Sequence, residues 1–104
     1  MNDLGNTLHL LEEALRLLAA GKAELNHRLL QAYTQRLQYV RPELLSADVR
    51  PLFDSIRKRL SRPPRYEGQS TVESALFRMR SSTAQKIASD IVELYFAMNR
   101  KEVP

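Results

Sequence analysis

The sequence predicts an all-α protein, a four- to five-helix bundle with an N-terminal helical hairpin and a long C-terminal helix. Apolar residues recur at intervals of three and four along most of the 104 residues, which is the spacing of one helix face. No segment alternates apolar and polar residues as a half-buried strand does, and only three glycines interrupt the chain. A chain of this length fits one domain, residues 1–104, with a single core.

The first helix is predicted by five leucines on one stripe, at Leu4, Leu8, Leu11, Leu15 and Leu18. Further leucines and alanines beside this stripe widen the apolar face to roughly half the helix circumference, at about 100° per residue. Gly21 tolerates the left-handed backbone that follows many helices, so the first helix is expected to end near Ala20.

The second helix is predicted from Ala23 to Arg41, with an apolar stripe at Leu25, Leu29, Tyr33, Leu37 and Val40. The short link between the first two helices predicts an antiparallel hairpin. Pro42 then ends or bends the second helix, because its ring removes a hydrogen-bond donor and disfavours helical backbone at the preceding residue.

Ser46 is the expected N-cap of a third helix, which continues through Ser61 and carries a stripe at Leu52, Phe53, Ile56 and Leu60. Pro51 is compatible with this helix only in its first turn. Residues 62–69 contain two prolines and a glycine, and they form the one real loop.

Ser70 and Glu73 have the spacing of a capping box, so the last helix is expected to begin at Thr71. Its apolar stripe continues without a phase break, which favours one helix from Thr71 to Asn99. The alternative is a bend at residues 81–82, where a serine is followed by glutamine three positions later. The last helix has a wide apolar face like the first, and two such faces favour a homodimer over a monomer.

Side chains suited to catalysis are sparse. The chain has no cysteine, which excludes disulfides, thiolate zinc sites and cysteine nucleophiles. Its two histidines lack a recognisable nucleophile context and there is no glycine-rich phosphate loop, so we predict neither an enzyme nor a cofactor.

Glu24 and His27 have the Glu-x-x-His spacing of di-iron bundles. Matches of two residues arise often by chance, and we predict no metal site.

The clearest indication of function is the distribution of charge. Residues 1–52 contain six basic and six acidic residues, whereas residues 53–104 contain ten and six, which accounts for the net charge of +4. Five of the basic residues fall within nine positions, at Arg57, Lys58, Arg59, Arg62 and Arg65. Clustered cations attract acidic surfaces and polyanions. We therefore predict that this basic run binds a protein partner with an acidic surface.

A nucleic-acid-binding regulator is the alternative function. Residues 50–86 contain nine basic and three acidic residues, a density at which phosphate contacts are physically reasonable. Arg57, Lys58 and Arg59 are consecutive and fan around a helix, whereas a helix that reads a DNA groove concentrates basic side chains on one face. The chain has no helix-turn-helix, zinc-finger or RNA-binding signature.

The loop contains Pro63-Pro64-Arg65-Tyr66, which matches the PPxY pattern of peptides bound by WW domains. We favour a simpler interpretation, in which this segment is a rigid connector and Tyr66 folds back on the bundle.

Together these features predict a small non-catalytic interaction module, an adaptor, regulator or chaperone that associates with itself and with a protein partner. Docking of apolar helix faces would hold the partner, with Tyr95, Phe96 and Met98 as anchors, and the basic run would steer it.

No stretch reaches the roughly 20 apolar residues that cross a bilayer. The N-terminus carries acidic residues where a signal peptide carries lysine or arginine, so we expect a cytoplasmic protein without membrane contact.

Overall fold

The computed structural model describes residues 3–102, with side chains from residue 5 to residue 100. Within this range the chain forms five α-helices and no strand, which confirms the predicted all-α class. The helices are α1 (Asp3–Ala20), α2 (Leu25–Gln35), α3 (Arg50–Arg59), α4 (Thr71–Phe77) and α5 (Ser81–Glu102). Two 3-10 turns, Leu37–Tyr39 and Pro42–Leu44, connect α2 to α3.

Helices α2 and α5 form the centre of the bundle. Helix α1 packs against both of them, α3 packs on α5, and α4 packs on α2. The apolar stripes of the helices meet in one core, whose fully buried members include Leu11, Leu29, Phe53, Ile56, Ile87, Ile91 and Leu94. Burial of each such side chain contributes roughly 1.5–3 kcal/mol before the entropy cost of folding. The predicted stripes are therefore the buried and half-buried faces of the helices, except that Leu4 lies outside the residues with described side chains.

The link between α1 and α2 differs from the prediction in its backbone. Helix α1 ends where expected, but Gly21 is not left-handed, since Gly68 alone among the described residues has a positive φ. A side chain at position 21 would instead collide with Arg28, whose Cγ and Cδ lie 2.8 Å from the position of an added Cβ. Arg28 donates hydrogen bonds to the carbonyls of Leu18 and Ala23, the latter at 2.9 Å. A side chain of α2 thereby caps the end of α1.

Helix α2 ends well before the predicted end at Arg41. The Thr34 hydroxyl donates to the carbonyl of Leu30 at 2.7 Å, a local bond that often bends helices. The chain then tightens into 3-10 turns, which still place Leu37 and Val40 in the core. The apolar stripe was predicted correctly, but part of it lies on 3-10 turns rather than on α-helix.

Helix α3 begins at Arg50, later than a cap at Ser46 predicts. The Ser46 carbonyl accepts a 3.0 Å hydrogen bond in the turn before the helix, and its hydroxyl lies 3.8 Å from the Met98 sulfur. The Arg50 side chain fixes the helix entry, because it donates to the carbonyl of Leu45 at 3.0 Å and to two carbonyls of the preceding 3-10 turn. Pro51 lies in the first turn of α3, as predicted.

The predicted single helix over residues 71–99 is in fact two helices. Its start is confirmed, because Ser70 and Glu73 form the capping box through two reciprocal 3.0 Å bonds. Helix α4 then ends at Phe77 and α5 begins at Ser81, so the break falls just before the position of the alternative bend.

Asn26 of α2 stabilises this break. Its side-chain amide donates to the carbonyls of Leu76 at 2.9 Å and Met79 at 3.3 Å, at a helix end where carbonyls lose their intrahelical partners. The apolar stripe stays in phase across the break, so the sequence pattern does not reveal it. One side chain from another helix supplies hydrogen bonds that a continuous helix would make for itself.

Replacing Asn26 by alanine is expected to lower the free energy of unfolding by about 1–2 kcal/mol, because the Met79 carbonyl loses its side-chain donor and the Leu76 carbonyl keeps only the 3.3 Å bond from the amide of Met79. Urea denaturation measures the change. His27→Ala is the matched control, since that side chain is exposed, and it should shift stability by no more than about 0.5 kcal/mol. An Asn26→Ala variant that unfolds at the wild-type urea concentration would show that the amide does not hold the break.

The loop between α3 and α4 is held by hydrogen bonds to buried side chains. The Ser74 hydroxyl donates to the carbonyl of Pro63 at 2.7 Å, and the Gln69 side chain accepts from the amide of Arg65 at 2.9 Å. Tyr66 is nevertheless 64% exposed, so it does not fold back on the bundle as predicted.

Candidate partner-binding cleft

Basic side chains from three parts of the chain converge on one cleft, which we call the cationic cleft. It has a volume of about 390 Å³ and lies between the end of α3, the loop that follows, and the break between α4 and α5. Its lining comprises five cations and three small or apolar residues, namely Lys58, Arg59, Arg62, Arg78, Arg80, Ala75, Met79 and Thr83. No acidic residue of the described chain lines it. The cleft therefore presents a positive field to a ligand.

The fold explains why these cations meet. Helix α3 contributes the cations of its last turn, where positive charge also suits the helix dipole. The amide of Arg62 donates to the carbonyl of Thr71 at 3.0 Å, which holds the loop against the start of α4. Arg78 and Arg80 lie in the helix break. They are not among the partner-binding residues predicted from the sequence, although both fall within residues 50–86, the basic region of the alternative nucleic-acid-binding function.

Arg59 is the one cation of the cleft that forms an ion pair within the described chain. Its Nη2 lies 2.6 Å from Oδ2 of Asp90, which is only 4% exposed and also accepts from Lys86 Nζ at 2.9 Å. Burial raises the pKa of the Asp90 carboxyl, but the hydrogen bonds and charges of Lys86 and Arg59 outweigh burial and hold that pKa below its ordinary value. Asp90 therefore stays ionised and links α5 to α3.

Arg57 and Arg65 lie outside the cationic cleft, although the sequence predicts them as part of the same basic run. The guanidinium carbon of Arg57 lies 5.5 Å from the centre of the Phe53 ring, a cation–π contact. Arg57 lines a wider neighbouring groove of about 1010 Å³, which also contains the acidic side chain of Asp54. Arg65 is exposed on the loop. Lys58 and Arg59 line both the wider groove and the cationic cleft, so three of the five cations of the run lie in the cleft, and Arg57 and Arg65 do not.

The three predicted apolar anchors do not share an exposed face. Met98 is 2% exposed and belongs to the core, so it is not available to a partner. Tyr95 is half-buried and packs edge-to-face on Phe96, with ring centroids 5.6 Å apart. Phe96 is 51% exposed and, with Val92 one turn earlier, forms the exposed apolar stripe of α5. The side chains at positions 96 and 98 project about 200° apart around the helix axis, so they cannot both face one partner.

The described residues contain no group of three or more histidine or acidic side chains placed to bind a metal ion. Glu24 and His27 are both exposed. His9 lies on α1, where its Nε2 is 3.2 Å from a carboxylate oxygen of Glu13.

None of the helices in the described part of the chain combines the length and the apolar character needed to span a membrane. Comparisons with protein-family models, with curated proteins and with solved structures found no match to this chain. The fold and the site together define an all-α bundle with a cationic surface cleft, and proposals about its function rest on the side chains themselves.

Proposed function

We propose that this protein is a small non-catalytic interaction module, an adaptor, regulator or chaperone, that docks an acidic segment of a protein partner in the cationic cleft. The observation that carries the proposal is the convergence of five cations on one cleft, in whose lining the described residues include no acidic side chain. Carboxylates of a partner would accept charge-assisted hydrogen bonds from these side chains, which are roughly twice as strong as neutral ones.

The apolar part of the cleft favours a protein partner over a phosphate chain. Ala75 is buried and Met79 is half-buried among the cations. An apolar centre with a charged rim is typical of protein interfaces. Among the described residues, no aromatic side chain lines the cleft, whereas proteins that bind single-stranded nucleic acids use aromatic rings to stack bases. An acidic segment that also carries aliphatic side chains fits both parts of the cleft.

A nucleic-acid-binding regulator that uses residues 50–86 is the second candidate. The same five cations support it, because phosphate binding depends chiefly on positive charge. Helix α3 does not present its cations on one face to a groove, since Arg57 lies over Phe53 and Arg59 is bound to Asp90. The salt dependence of binding separates the two candidates. For single-stranded nucleic acid, the logarithm of the affinity falls with the logarithm of the salt concentration, with a slope of about −0.7 per neutralised phosphate.

Reversing two cleft charges, in Arg62→Glu/Arg78→Glu, is expected to weaken partner binding roughly tenfold or more. The probes are a labelled peptide of alternating glutamate and leucine, and single-stranded DNA of equal charge. The wild type should bind the peptide more tightly than the DNA. Both arginine side chains are exposed and unpaired within the described chain, so the variant should keep its fold.

Arg57→Glu/Arg65→Glu is the matched control. Like the cleft variant, it lowers the formal net charge from +4 to zero. The control should weaken binding only slightly. Equal losses in the two variants would show that net charge alone attracts the probe, and wild-type binding by the cleft variant would refute the site. Tighter and strongly salt-dependent binding of the DNA would favour the nucleic-acid function.

We also propose that the protein forms a homodimer in the cytoplasm. The leucines of α1 with described side chains are buried or half-buried within the chain, so the support comes from Val92 and Phe96 on α5. Light scattering should give twice the chain mass of 12.0 kDa, and Phe96→Asp should give the monomer. A wild-type mass of one chain at every concentration would contradict the dimer.

A further inference from the structure

Another groove of the bundle differs from the cationic cleft in its charge and its aromatic lining, and we call it the aromatic groove. It has a volume of about 280 Å³ and is lined chiefly by residues of α2, α4 and the loop between α3 and α4, together with the residue before α2, namely Glu24, His27, Leu30, Tyr66, Glu73 and Phe77. No lysine or arginine of the described chain lines it, although the whole chain carries a net charge of +4. The groove is a local region of negative charge and aromatic surface.

Two aromatic rings are exposed at this groove. Phe77 is 80% exposed and Tyr66 is 64% exposed. Val72 and Leu76 carry the buried stripe of α4, so the exposure of Phe77 follows from its position on the helix. A ligand that covers such a ring removes apolar surface from water, which favours binding.

The backbone that carries both rings is fixed. The amide of Gln69 donates to the carbonyl of Tyr66 at 3.2 Å, and Gly68 turns the chain with a φ of 90°, which glycine adopts at little cost. Asn26, which also lines the groove, donates to carbonyls at the end of α4 that bears Phe77. The backbone of the groove therefore needs little ordering before a ligand binds, and the entropy cost of binding falls on its exposed side chains.

Two carboxylates complete the groove. The Glu24 side chain is exposed and forms no hydrogen bond or ion pair within the described chain. Glu73 accepts from the amide of Ser70 through Oε1 at 3.0 Å and also lines the groove. A cation is attracted to the face of an aromatic ring, and a guanidinium pairs with a carboxylate through two parallel hydrogen bonds. Arginine makes both kinds of contact, because its planar group stacks on rings as well as donating hydrogen bonds.

We propose that the aromatic groove binds an arginine side chain of a partner peptide, with the guanidinium against Tyr66 and Phe77 and with Glu24 as its counter-ion. The groove is slightly smaller than the roughly 300–1,000 Å³ of small-molecule sites, which suits a single side chain. None of its lining residues belongs to the cationic cleft, so this inference does not rest on the function proposed for that cleft.

Two labelled peptides test this binding, one with a central arginine and one with citrulline, which has nearly the same shape and no charge. The wild type should bind the arginine peptide roughly tenfold more tightly. Phe77→Ala removes a ring and Glu24→Gln removes a charge, and each should reduce this preference to roughly threefold or less. Tyr39→Ala is the matched control, since Tyr39 is an exposed aromatic residue outside the groove, and it should bind like the wild type.

Equal affinity of the wild type for the two peptides would overturn the proposal, as would wild-type preference in the Phe77→Ala variant. Loss of preference in Tyr39→Ala would also overturn it, because the effect would not be specific to the groove. If Phe77→Ala changed the mass in light scattering but not peptide binding, a second copy of the chain would be the occupant and the proposal would be wrong. The cleft is tested with acidic probes and the groove with a cationic one, so the two proposals can fail separately.

Discussion

Replacing Met98 by alanine is expected to lower the free energy of unfolding by about 2–5 kcal/mol. The side chain is 2% exposed and lies in the core, with its sulfur 3.8 Å from the Ser46 hydroxyl. Truncation leaves a cavity that the close-packed neighbours fill only in part. Urea denaturation followed by circular dichroism measures the loss as a lower midpoint at constant slope.

Phe96→Ala is the matched control, two residues away on the same helix. That ring is 51% exposed in the single chain, so its truncation should lower the stability of the monomer by no more than about 1 kcal/mol when both variants are measured at a concentration where light scattering gives one chain. The contrast separates core from surface on α5. An equally small effect of Met98→Ala would mean that Met98 is an exposed anchor, as the sequence predicts.

Reversing the charge of Arg59 is expected to lower the free energy of unfolding by about 3 kcal/mol. Asp90 would then face a carboxylate in place of the guanidinium that lies 2.6 Å from it. Lys86 stays as a partner of Asp90, which places the loss at the lower end of the range for a broken buried pair. Helix propensity alone predicts almost no change, because arginine and glutamate are similar helix formers.

Lys58→Glu is the control for this reversal, since Lys58 is exposed on the same turn of α3 and forms no ion pair within the described chain. It should leave the free energy of unfolding within about 0.5 kcal/mol of the wild type. If Arg59→Glu proved equally harmless, the bond to Asp90 would contribute nothing to stability.

Low pH should reduce the difference in free energy of unfolding between the wild type and Arg59→Glu. A carboxyl whose pKa is lowered by folding stabilises the folded state at pH values above its unfolded pKa, here 3.8. That stabilisation is lost as the pH falls through the folded pKa. The stability gap between Arg59→Glu and the wild type should therefore be full at pH 7 and should narrow below about pH 4. A gap of constant size from pH 7 to pH 3 would show that the charge of Asp90 is not its cause.

The double role of Arg59 decides how the cationic cleft is tested. Reversing Arg57, Lys58 and Arg59 together would confuse loss of binding with loss of the bond to Asp90. Arg62 and Arg78 line the same cleft and form no ion pair in the described chain, so their reversal reports on binding.

Which residues face the core could be predicted from the sequence. Leu11, Phe53 and Ile91 are buried as their stripes predict, because the spacing depends only on helix geometry and on the transfer of apolar groups from water. The end of α1 and the capping box at Ser70 were also predicted correctly. The capping box depends on two residues three positions apart, whereas the end of α1 is capped by Arg28 of α2 and not by a left-handed Gly21.

The helix breaks and the meeting of the cations were decided by the tertiary structure. Asn26 donates to carbonyls at the end of α4, fifty positions along the chain, and Asp90 binds Arg59 across thirty-one. The cationic cleft depends on both contacts, since one stabilises the break that contains Arg78 and Arg80 and the other holds α3 on α5. A hydrogen bond between distant residues leaves no periodic pattern in the sequence, because it places no requirement on the neighbours of either partner.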